Sequence, residues 1–202
     1  MHKEKQGFGD SAIATLQTSA AGNEQVSIEG HYHVECRDKD GNIKWEEEFP
    51  NLVVAAGKEL MLNTLLRTSG TYTTVGPFLG LTNATLTPAA TDTMTTLVGG
   101  GKEFTDYTVG GSAVRGTATF AAATSTGTTP SNVTSSTATA ITYTITGAGG
   151  TVGGCFLVTG TGAVSTQSST AGTLYSAGNF TTAKVTTAGD TVSVTYSTTA
   201  TS

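Results

Sequence analysis

Residues 31–67, HYHVECRDKDGNIKWEEEFPNLVVAAGKELMLNTLLR, decide the fold class, because three local signals follow one another there and agree. Residues 31–37 alternate, with Tyr32, Val34 and Cys36 on one face and His33, Glu35 and Arg37 on the other, the period-two signature of a half-buried strand. Asp38-Lys39-Asp40-Gly41-Asn42 reads as a tight turn, since Asp-Gly supplies the positive φ angles a hairpin requires. Residues 43–49 return as a second strand. Its inner row is Ile43, Trp45, Glu47 and Phe49, in which Glu47 interrupts the apolar run, while Lys44, Glu46 and Glu48 face water. Pro50 closes the hairpin or marks an edge. Beyond Leu52-Val53-Val54 the pattern changes period, and residues 55–67 read as a helix. Leu62, Leu65 and Leu66 recur at i, i+3, i+4, Leu60 and Met61 widen the stripe, and Arg67 suits the C-terminal end. The stripe predicts a helix that plugs a β domain.

Composition extends this reading to the whole chain. At 202 residues there is room for one sizeable core, here divided into an extended arm over residues 1–27 and a β-sandwich domain over 28–202. Only 12% of residues are charged, and Thr, Ser, Ala and Gly dominate after residue 67, which favours short strands joined by small-residue turns. The net charge of −5 resides in residues 1–60, and the remainder is neutral. No Lys/Arg cluster exists to drive counterion release, so direct nucleic-acid binding is not expected. The longest apolar run, residues 52–56, is far short of a membrane span, and no apolar segment follows the N-terminal charges to make a secretory signal. A soluble protein made in the cytoplasm is expected, with Cys36 and Cys155 as two buried free thiols.

In chain order, the arm carries only scattered apolar residues, Phe8, Ile13, Leu16 and Val26, too sparse for a core and apolar enough to suggest contact with another subunit. Residues 72–81 form a strand bent at Gly76-Pro77, residues 82–102 a long loop, and residues 104–109 and 113–121 two sandwich strands, the second placing Val114, Gly116, Ala118 and Phe120 inward and Arg115 outward. Residues 138–146 alternate most clearly, with Ile141, Tyr143 and Ile145 on one face. Residues 152–159, VGGCFLVT, are the near-continuous apolar run of a central strand, and 191–197 the last strand. The whole predicts a mainly β protein, an antiparallel β-sandwich or jelly roll with one short α-helix and an extended N-terminal arm. Trp45, Leu62, Leu65, Ile141, Tyr143, Phe156 and Val194 are expected to be buried together.

No motif outweighs its plainer reading. His31, His33 and Glu35 share one strand face as a metal site would require, but no third His exists outside His2 and no Cys points to that face, so a solvated face suffices. Glu46, Glu47 and Glu48 point alternately, which does not make a general acid/base pair. Asp38, Asp40 and Asn42 carry a faint calcium-loop rhythm without the twelfth-position Glu. Gly99-Gly100-Gly101-Lys102 suggests a phosphate loop, yet Glu103 stands where Ser or Thr belongs and Thr96 where the first Gly belongs. Asn83, Asn132 and Asn179 head glycosylation triplets of the kind chance supplies in a Thr-rich chain. Neither catalysis, a cofactor nor a metal is expected.

As an ordered set, the Asp-Gly-Asn turn, Ile43-Lys44-Trp45-Glu46, Asn51-Leu52-Val53-Val54, Gly57 and Leu65-Leu66, followed by Phe78-Leu79-Gly80-Leu81-Thr82, the 153–159 run, Gly172-Thr173-Leu174-Tyr175 and 189–196, resembles a group of tailed-bacteriophage head-associated virion proteins. The resemblance covers about residues 30–198 and carries over no active-site residues. It implies a capsid cement or decoration protein on the head exterior, partnered by the major capsid protein and by further copies of itself as a dimer or trimer. Phe8, Ile13, Leu16 and Val26 of the arm are the expected contact residues. A tail, neck or fibre component is the next expectation. A carbohydrate-binding adhesin is the third, disfavoured because the sole tryptophan, Trp45, sits in the inner row of its strand.

Overall fold

A computed structural model describes residues 27–66, 75–125 and 134–201. The arm residues Phe8, Ile13, Leu16 and Val26 lie outside the described residues, and Ser27, expected to end the arm, already opens the first strand. β1 (Ser27–Arg37) and β2 (Ile43–Pro50) form the expected hairpin, antiparallel with a register shift at Cys36/Arg37. The turn is held by Asp38, whose Oδ1 accepts from the backbone N–H groups of Asp40 and Asn42 at 2.9 Å, with Gly41 at φ +85°. The Asn42 side-chain amide, donating to Asp38 Oδ2 at 3.1 Å, and then these N–H groups keep the Asp38 carboxyl below the usual range. Of the calcium-loop carboxylates, Asp38 serves the turn and Asp40 meets Lys39 Nζ at 3.0 Å.

β3 (Leu52–Val53) leads into α1 (Ala55–Leu66), which is followed by β4 (Phe78–Asn83), α2 (Met94–Gly99), β5 (Glu103–Phe104), β6 (Tyr107–Thr108) and β7 (Gly116–Thr117). The chain continues through β8 (Thr124–Ser125), β9 (Thr134–Thr137), β10 (Ile141–Ile145), β11 (Gly150–Thr159), β12 (Thr173–Thr186) and β13 (Thr191–Thr201). Two antiparallel sheets result. One runs β2-β1-β13-β10-β6, with β9 continuing along β13 and β8 on β9; the other runs β3-β12-β11-β4-β5, with β7 also on β4. Tyr32, Val34, Leu79, Leu81, Ile141, Tyr143, Leu157, Val192, Val194 and Tyr196 fill the space between them. This is a mainly β sandwich, as the alternation predicts.

β11 lies between β12 and β4 and is buried from Val152 to Thr159, the central strand its apolar run predicts. Its alternate residues serve two cores. Cys155 and Leu157 enter the sandwich, while Phe156 and Val158 join Val54, Leu86, Met94, Leu97 and Leu174 in a second cluster outside the sheet. Phe156 is thus buried apart from Ile141, Tyr143 and Val194, and Trp45 is only half-buried, edge-on to Phe180 at 5.3 Å.

Three expectations are corrected. Residues 82–102 contain α2, started by a reciprocal cap in which Thr93 Oγ1 accepts from Thr96 N and Thr96 Oγ1 accepts from Thr93 N; Met94 and Leu97 anchor it in the second cluster. Residues 104–109 and 113–121 hold only two-residue strands, β5, β6 and β7, and Arg115 points inward at 1% exposure. Finally, Leu62, Leu65 and Leu66 of α1 are not core: they are 61, 76 and 75% exposed. The helix rests on β12 through the opposite side, where Gly57 is its one fully buried residue; a Cβ there would lie 2.3 Å from the Tyr175 carbonyl oxygen.

Candidate functional site

Most charged side chains of the described residues are engaged in holding the fold. His33 Nε2 meets Glu46 Oε1 at 2.6 Å, and Arg37 closes a fork on Glu35 at 2.6 and 2.9 Å, so the two potential ligands beside His31 are committed elsewhere. Among the described residues no three His, Cys, Asp or Glu side chains are grouped to hold a metal ion. Glu47, the interruption in the inner row of β2, reaches the other sheet: Lys184 Nζ lies 2.8 Å from it and the Thr181 N–H donates to it at 2.6 Å. Burial alone would raise its carboxyl, but these donors hold it below the ordinary range. Asp190 follows the same logic, since burial is outweighed by Lys44 Nζ at 2.5 Å and the Thr187 N–H at 2.8 Å, and its carboxyl is likewise lowered.

Arg115 is the most deeply placed charge. Its Nε and Nη2 each donate to Glu103 at 2.8 Å, Nη2 also donates to the Ser169 carbonyl at 2.8 Å, and the guanidinium lies 5.2 Å from the Phe156 ring centre. Glu103 in turn accepts from the Ser168 N–H at 2.9 Å, with Ser168 at φ +60°. The pair clasps the loop between β11 and β12 to the sheet. Gly99-Gly100-Gly101-Lys102 follows the C-terminal end of α2, where helix carbonyls point outward, the opposite of an anion cradle. Cys36 and Cys155 are free and buried, and burial pushes the Cys36 thiol up to about 11 and raises that of Cys155 as well. Neither is an activated nucleophile.

What remains is apolar. α1 seats Ala56 and Gly57 against the sheet, Leu60 against Gly160 and Met61 against the Tyr175 hydroxyl, which donates to its sulfur at 3.4 Å. That leaves Leu62, Leu65 and Leu66 facing outward beside a cavity of ≈ 210 Å³ lined by Leu60, Met61, Thr64, Leu65, Thr159 and Tyr175. Val75, 37% exposed, sits at the same place, its carbonyl accepting from Thr159 Oγ1 at 3.1 Å. No charged side chain lines the cavity. Three aliphatic side chains on successive turns, flanking a groove, form the kind of exposed patch that marks a contact surface for another molecule. The spacing that identified these leucines was sound; only their direction differed. No described helix is long and apolar enough to cross a membrane. Comparison with protein-family models, with curated proteins and with solved structures found no match to the chain.

Proposed function

We propose that the protein is a structural component of a tailed-bacteriophage virion, a capsid cement or decoration protein held on the outer surface of the head against the major capsid protein. The observation that carries this is the exposed leucine face of α1 beside its apolar groove, on a sandwich whose charges are largely spent on internal pairs. A surface of that kind serves association. Burying each leucine on a partner contributes on the order of 1–2 kcal/mol, and repeated copies on one particle add avidity. The ordered sequence resemblance supplies the head exterior as the place and the capsid subunit as the partner.

The test adds purified protein to particles that lack it and counts the copies that co-sediment. Hundreds of copies per particle support a cement role, a handful at one vertex indicates a tail or neck part, and no binding refutes the proposal. Leu62→Glu with Leu65→Glu should weaken binding at least tenfold, about 1.4 kcal/mol, with an unchanged melting temperature.

A further inference from the structure

The three hydroxyls that line the groove beside α1 are all engaged within the protein. Thr64 Oγ1 donates to Leu60 O at 2.8 Å, Thr159 Oγ1 to Val75 O at 3.1 Å, and the Tyr175 hydroxyl to Met61 Sδ at 3.4 Å. No hydroxyl proton is left for an incoming carbonyl, carboxylate or ether oxygen, which would shed its water there without replacement. The rest of the lining is Leu60, Met61 and Leu65. A sugar, hydroxylated on every edge, is poorly served by such a surface. At ≈ 210 Å³ the groove exceeds the roughly 150 Å³ apolar cavity that accepts benzene, so one aromatic ring or one branched aliphatic chain fits.

Area and charge narrow the occupant further. Three exposed leucines make a patch on the order of 300–600 Å², below the roughly 800 Å² per partner of an ordinary interface. Binding over so small an area depends on a buried anchor, with the leucines around it excluding water. One charge lies in line with the patch. Lys58 precedes Leu62 by four residues and Leu65 by seven, so the three share one face of α1. Its ammonium makes no hydrogen bond or ion pair among the described residues, whereas Glu59 accepts from the Asn63 amide at 3.4 Å. At about 1.5 Å per residue, Lys58 lies about 5–10 Å along the helix axis from Met61, Thr64 and Leu65 of the groove.

We propose that the groove is a socket for a single hydrocarbon side chain of the particle, phenylalanine filling it best, on a segment that also sets a carboxylate about 5–10 Å away against Lys58. The source of that segment rests on the virion role proposed above; the socket does not, and it is testable without particles. Toluene and methyl glucoside, titrated separately into the full-length, methyl-labelled protein, are followed by NMR. Toluene should give saturable shifts at Leu60, Met61 and Leu65, and methyl glucoside none. Two variants that keep Leu62, Leu65 and Leu66 then go to the co-sedimentation assay. Thr64→Phe, which plugs the groove from its rim, should abolish the toluene shifts and weaken particle binding at least tenfold. Lys58→Glu should leave the toluene shifts unchanged and weaken particle binding about two- to fivefold, more at low salt. Thermal melts equal to that of the native chain would exclude misfolding. Absent toluene shifts, shifts with methyl glucoside at the same residues, or particle binding indifferent to Thr64→Phe or to Lys58→Glu overturns the proposal. Toluene binding by a protein that decorates no particle refutes the function proposed above and leaves the hydrocarbon socket standing, and decoration without toluene binding does the reverse.

Discussion

Replacing Arg115 with Ala isolates the most deeply buried charge of the molecule. The side chain of Arg115 is 0% exposed and that of Glu103 3%, so truncation leaves a carboxylate in the interior without its counterion and Ser169 O without a donor. Breaking a buried pair from one side costs about 3–5 kcal/mol, and the lost carbonyl bond adds about 1. Against a typical domain stability of about 5–15 kcal/mol this is a large fraction, and for a chain of this length it lowers the melting temperature by roughly 8–24 °C. Urea unfolding followed by fluorescence of Trp45, the sole tryptophan, measures it. Glu103→Gln should cost a similar amount, leaving the guanidinium unpaired. The double variant Arg115→Ala, Glu103→Gln should cost less than the two single changes summed, giving a coupling energy above about 1 kcal/mol. A cost below about 1 kcal/mol for Arg115→Ala would show that the carboxylate reaches water and that the loop does not depend on the clasp.

Three further outcomes are expected. Gly57→Val should destabilise by about 1–3 kcal/mol, because its Cβ would meet the backbone of β12, whereas Leu65→Ala should change stability by less than about 0.5; the reverse order in chemical denaturation would mean that α1 sits the other way round. Asp190 and Glu47 have carboxyls held low in the fold, so the unfolded chain takes up protons first as pH falls. Their contribution is fully present above about pH 5 and is lost through the region below about pH 4; Asp190→Asn should flatten that acid limb in a pH series of urea midpoints, and an unaltered limb would contradict the assignment. Both thiols should resist a disulfide reagent at pH 8 in the native protein and react after denaturation, so rapid native labelling of Cys36 would place it at the surface.

The elements legible in the sequence are those whose side chains alternate against a single core. The β1–β2 hairpin, β10 and β13 satisfy that condition, and their rows fall where the alternation puts them except at Ile43, expected inward and exposed at the start of β2; β11, which faces two cores, is legible instead as an unbroken apolar run. α1 was legible as a helix but not in its orientation, since spacing defines a stripe and leaves open which side meets the sheet. Small residues, Ala56 and Gly57, make that contact, and a hydrophobicity pattern passes over them. α2 was hidden because its cap is Thr93 with Thr96 in place of an acidic partner and its run is only six residues. Arg115 was placed on the wet face by its position in an alternating row. The available signal was scarcity: beyond residue 60 there are only four charges of each sign, and Arg115, Glu103, Lys184 and Asp190 among them all enter pairs.

The pairing of β1 with β13, which sets Ser27 opposite Thr201, has a consequence for biosynthesis. β13 is an inner strand, with β1 along one edge and β9 and β10 along the other, yet it is made after every other described strand. The β4, β11 and β12 sheet can assemble beforehand, while β1 and its hairpin must wait with one edge unpaired until more than 150 further residues have been made. Contacts this distant in sequence make folding slow and expose that edge to other nascent chains. A chain stopped before residue 191 therefore loses the middle of a sheet, and its first sheet comes apart into three unconnected pieces, β1–β2, β6–β10 and β8–β9.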